Sequence, residues 1–66
     1  MSNPVVNLRY KLHMTQTGLA AALGVSRQIV WRYETGKSEP PVSMIKKLMA
    51  IAREKGIKVN PNDFFK

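Results

Sequence analysis

No cysteine occurs anywhere in this 66-residue chain, and that absence narrows the ways it can hold a fold. Chains of this size bury only ~60% of the surface they expose when unfolded, and many rely on disulfides or a bound metal to compensate. Without thiols, neither a disulfide nor a thiolate metal site can form. One histidine, His13, and four acids, Glu34, Glu39, Glu54 and Asp63, are too few and too scattered for a metal site or a supported acid/base pair. What remains is a single domain over residues 1–66, built on one small apolar core with no room for a deep catalytic cleft. No enzyme activity, metal or cofactor is expected.

Charge selects the company such a domain keeps. Eleven Lys and Arg against four Asp and Glu leave a net +7, so the partner is anionic: nucleic acid, an anionic membrane surface or an acidic protein. Hydrophobic residues make up 44% of the chain, which separates it from disordered basic tails. No apolar run approaches the ~20 residues that span a bilayer, and no basic start leads into an apolar signal region. A soluble, cytoplasmic protein without membrane contact is expected.

Caps and stops divide the chain into helices. Asn3 before Pro4 is a polar N-cap with proline at the first helical position, and Val5, Leu8 and Leu12 then share a face, which predicts a helix ending near Lys11 to His13. Thr15 caps a second helix, Gln16 to Leu23, with Leu19, Ala20 and Leu23 inward and Gly24 as its stop. Ser26 caps a third, Arg27 to about Thr35, ended by Gly36; Val30 and Tyr33 face inward while Arg27, Gln28, Trp31 and Arg32 lie on or beside the opposite face. Two short helices joined by Gly-Val-Ser make a helix-turn-helix. Pro40 and Pro41 exclude helix from the next loop. The fourth helix is predicted from about Val42 to Lys55, with Val42, Ile45, Leu48, Met49 and Ala52 inward and Lys46 and Lys47 outward on a solvated face. Asn60-Pro61 repeats the cap signal for a short last helix. Ile57-Lys58-Val59 alternates over too few residues for a strand. Gly18 is out of place inside the second helix, where it costs ~1 kcal/mol relative to alanine.

Residues 16–35, QTGLAAALGVSRQIVWRYET, resemble the helix-turn-helix of the lambdoid phage Cro and repressor proteins and the wider Xre-like regulators. Leu19, Leu23, Val25, Val30 and Tyr33 fall where the two helices face each other, Ala20 where they cross closely and Gly24 where the turn needs positive φ. Leu8-Arg9 ahead of Met14-Thr15-Gln16, and Tyr33 to Lys37 behind, extend the likeness over nearly the whole chain. The resemblance implies an all-α, compact five-helix lambda-repressor-like domain, with the motif at about 16–35 and the third helix in the DNA major groove. Base contacts then fall to Arg27, Gln28 and Arg32, with Trp31 beside them, and backbone contacts to Gln16, Thr35, Lys37 and Ser38. Arg9 and Glu34 match a structural ion pair, so Glu34→Ala is expected to unfold the domain more than it alters specificity.

The function implied is a sequence-specific transcription regulator, a repressor, binding double-stranded DNA at a two-fold operator as a homodimer. Residues 56–66 are the candidate dimerisation segment, with Ile57, Val59, Phe64 and Phe65 as its contacts; Met44 and Ile51 add further apolar surplus. No small-molecule effector is evident. An antitoxin with autoregulatory DNA binding is one alternative, though Met1 to Asn3 and Lys66 leave no toxin-binding tail. A restriction-modification controller is another.

Overall fold

The computed structural model describes residues 3–64. Four helices follow in order, α1 (Pro4–Lys11), α2 (Gln16–Leu23), α3 (Arg27–Glu34) and α4 (Val42–Glu54), and a single 3-10 turn (Pro61–Phe64) closes the described chain. No strand occurs among the described residues.

Side chains start three of the four helices. The Asn3 carboxamide oxygen accepts from the amides of Val5 and Val6, the Thr15 hydroxyl from Gly18 and the Ser26 hydroxyl from Ile29, each satisfying donors that a helix start leaves unpaired. Gly18 belongs to the second of these caps. A Cβ there would lie 3.3 Å from the Thr15 hydroxyl oxygen, so the glycine leaves the cap room.

All four helices end on one device. A residue with positive φ, namely His13 (55°), Gly24 (74°), Gly36 (77°) or Gly56 (71°), turns the chain, and the next amide bonds five residues back: Met14 to Arg9, Val25 to Ala20, Lys37 to Arg32 and Ile57 to Ala52. Glycine takes this conformation without a Cβ penalty. His13 takes it at a cost of ~1–2 kcal/mol.

The helices close around Val5, Leu8 and Leu12 of α1 and its end, Leu19, Ala20 and Leu23 of α2, Val30 and Tyr33 of α3, and Met44, Leu48 and Ala52 of α4. α2 packs chiefly on α3, α1 on α3, α4 on α2, and the 3-10 turn bridges α1 and α4. At 3% exposure Ala20 sits in the α2 contact face, where a larger side chain would separate the helices.

Three expectations change. The fifth helix is a 3-10 turn: the Asn60 side chain accepts from Asn62 and the Asn60 carbonyl from Asp63, three residues on, a tighter winding than an α-helix allows. On α4, Ile45, Leu48 and Ala52 are buried as expected, but Met44 joins them, Val42 is 56% exposed and Met49 is only half-buried. Ile51, Ile57, Val59 and Phe64, counted as surplus apolar surface, pack partly buried against the chain's own core. Phe65 lies outside the described residues.

Candidate nucleic-acid interface

α3 is two-faced by construction. Successive residues turn ~100° about a helix axis, so Arg27, Gln28, Trp31, Arg32 and Thr35 share an arc of ~140°; all five are exposed, whereas Val30 and Tyr33 on the far side are buried and Ile29 leans on the core. The exposed face carries two guanidinium groups, a carboxamide and an indole, and no acid. Glu34, the acid of α3, lies at the edge of that arc with its side chain only 6% exposed, taken up by Arg9 and Gln16.

That carboxylate is the hinge of a hydrogen-bonded chain. Arg9 Nε donates to Glu34 Oε2 at 2.6 Å and Arg9 Nη2 to Oε1 at 3.1 Å, a bidentate ion pair whose side chains are 13% and 6% exposed. Arg9 also donates to the Met14 carbonyl and lies over the Tyr10 ring, 4.8 Å from its centroid. Hydrogen bonding to Glu34 pushes the Arg9 guanidinium above its ordinary value, against the opposing effect of burial, so the guanidinium stays charged. Glu34 Oε1 accepts as well from Gln16 Nε2 at 3.0 Å, and Gln16 Oε1 accepts from Arg27 Nη1 at 3.0 Å. The expected backbone contact Gln16 and the expected base contact Arg27 are therefore directly bonded. One Gln16 amide proton remains for a phosphate, at a helix start where an anion is favoured.

The remaining expected residues divide. Arg32 Nε donates to Ser38 Oγ at 3.1 Å, which leaves both terminal amino groups of Arg32 forward and the Ser38 hydroxyl proton available. The Thr35 hydroxyl donates back to the Trp31 carbonyl at 2.9 Å, and its amide bonds the same carbonyl. The Thr35 hydroxyl proton is thus already used within α3, so a phosphate contact from Thr35 requires that hydroxyl to turn outward. Lys37 is exposed on the loop beyond α3, and Trp31 retains 38% exposure.

Lys47 is exposed, as expected of a solvated face, and makes one further bond. Its Nζ donates to the Leu23 carbonyl at 3.3 Å, placing a cation at the C-terminus of α2 where the helix dipole is negative. Asn3 was read only as a cap, yet its Nδ2 also donates to the Tyr33 carbonyl at 2.9 Å. Both links join residues more than twenty positions apart, and no local spacing announces them.

Comparison with known proteins agrees with this geometry. A family model described as helix-turn-helix matches residues 7–52, more than half of the chain, from α1 into α4. No curated protein matches the chain, and no solved structure does.

Proposed function

The chain belongs to the Cro/C1-type helix-turn-helix family of DNA-binding transcription regulators, and from that premise we propose that it represses transcription by binding a two-fold operator as a homodimer. The family is generally non-enzymatic. The observation that carries the reading is the exposed, acid-free face of α3, with Arg27, Gln28, Trp31 and Arg32 opposite buried Val30 and Tyr33. A major groove ~12 Å wide admits one helix, and arginine on guanine and glutamine on adenine are the pairings of best geometry, each worth ~1–3 kcal/mol of discrimination. Gln16, Lys37 and Ser38 supply backbone contacts that fix register without reading sequence. Size supports the use of two copies. The longest Cα extent is 27 Å, shorter than the ~34 Å between successive major grooves on one side of the duplex, so one domain addresses one groove. Contact between copies falls to residues 56–66, where Ile57, Val59 and Phe64 keep part of their surface outward.

Selection of bound duplexes from a random pool, followed by titration of variants, tests the division of labour. Arg27→Ala and Gln28→Ala are expected to lose ~10-fold or more on the selected site and far less on random DNA, while Lys37→Ala weakens both alike. Equal losses on both DNAs in all three variants would refute base reading by α3. Sedimentation with and without the selected site tests the dimer: a monomer in both states overturns it.

A further inference from the structure

Both ends of the Gln16 carboxamide are fixed by partners that admit only one orientation. Glu34 is an ionised carboxylate and can only accept, so it takes the Gln16 amino group; Arg27 can only donate, so it takes the Gln16 carbonyl. Reverse the amide and two acceptors meet at one end and two donors at the other. The orientation of Gln16 is therefore set by the charge state of Glu34, which is itself held by Arg9. In this arrangement Arg27 is tethered through Nη1 alone, so its Nε–Nη2 edge stays forward as a two-donor fork.

We propose that Glu34 is a positioning residue for base reading by Arg27, acting through the amide of Gln16. The proposal rests on the reading of Arg27 as a base contact. The Glu34 carboxylate is 6% exposed and bonded to Arg9; its influence passes to Arg27 by two hydrogen bonds of 3.0 Å. An arginine left to its rotamers must be ordered on binding, with loss of side-chain entropy. One held over the groove meets guanine already aimed.

The test uses Glu34→Met, Gln16→Met and the exchange Gln16→Glu/Glu34→Gln, with discrimination measured base pair by base pair around the selected site. With Glu34→Met, Gln16 loses the acceptor that fixes its amino group, and its carbonyl is no longer held toward Arg27. Discrimination is expected to fall by ~2- to 12-fold, the worth of one positioning hydrogen bond, at the base pair where Arg27→Ala loses it, and at no other. Gln16→Met should do the same. In the exchange, the new carboxylate at position 16 accepts both from position 34 and from Arg27, so discrimination returns. Thermal stability does not return with it, because the charge facing Arg9 is still missing. Recovery of specificity without recovery of stability separates positioning from folding. Full discrimination by Glu34→Met at that base pair, or an exchange that fails to restore it, overturns the proposal. If Arg27→Ala has no base-specific effect anywhere, the reading beneath the proposal falls first, and the proposal with it.

Discussion

Arg9→Met isolates what the buried ion pair contributes to folding. The substitution keeps the length and apolar stem of the side chain but removes the charge and three donated hydrogen bonds, two to Glu34 and one to the Met14 carbonyl. The Glu34 carboxylate, 6% exposed, is left with the Gln16 amide. Removing one member of a buried pair costs ~3–5 kcal/mol, and the surviving Gln16 bond together with the 13% exposure of Arg9 argues for the lower end, ~3 kcal/mol. A domain of this length holds only ~3–10 kcal/mol in total, and each kcal/mol moves Tm by ~4–8 °C at this size. A fall of roughly 12–24 °C in a circular-dichroism melt is therefore expected. Arg9→Met/Glu34→Met removes both charges, leaves no ion stranded, and should recover more than half of that loss. The reasoning is refuted if the single variant melts within ~4 °C of the parent, or if the double variant melts no higher than the single.

Two further changes probe the helix ends. His13→Gly places a residue suited to positive φ where a Cβ is now held at 55°; a gain of ~0.5–1 kcal/mol, or roughly 2–8 °C in Tm, is expected, and an unchanged or lower Tm would show that the turn carries no strain. Lys47→Met removes the cation from the end of α2 and should lower Tm by ~1–8 °C, following a dipole contribution of ~0.3–1 kcal/mol. It should leave the salt dependence of random-DNA binding unchanged, since a fall in slope of ~0.9 would mean that Lys47 releases a counterion from a phosphate instead.

The sequence made helix ends legible because each has a local chemical cause. Asn3, Thr15 and Ser26 cap where a polar residue precedes an apolar period, and Gly24, Gly36 and Gly56 turn where the period stops. Their neighbours supply everything the inference needs. α4 was harder at the edges of its stripe, because Val42 and Met49 extend the shared line of Ile45, Leu48 and Ala52 as well as Met44 does. The choice between them depends on where the 35–41 loop delivers the helix, which is a tertiary matter. Pro41 caps α4 without a side-chain bond and gives no rotational cue. In the candidate site, the exposed set on α3 could be read from periodicity alone, and the likeness to Cro and repressor proteins assigned its roles. The links from Gln16 to Arg27 and from Arg32 to Ser38 depend on which atoms approach across a turn, and residue spacing carries no such information.

Asn3 bears on how the molecule opens. Its carboxamide serves the first amides of α1 and a last-turn carbonyl of α3 together, thirty residues apart in the chain, and the Arg9–Glu34 pair joins the same two helices from the next residue of α3. Helix ends ordinarily fray with little free energy, exchanging amide hydrogens long before the body of the fold does. Here the C-terminal turn of α3 cannot peel away unless α1 releases it. Its amides should therefore exchange with the slow, globally protected set rather than with the fast terminal one. The recognition surface then behaves as a rigid part, lost only when the whole domain unfolds.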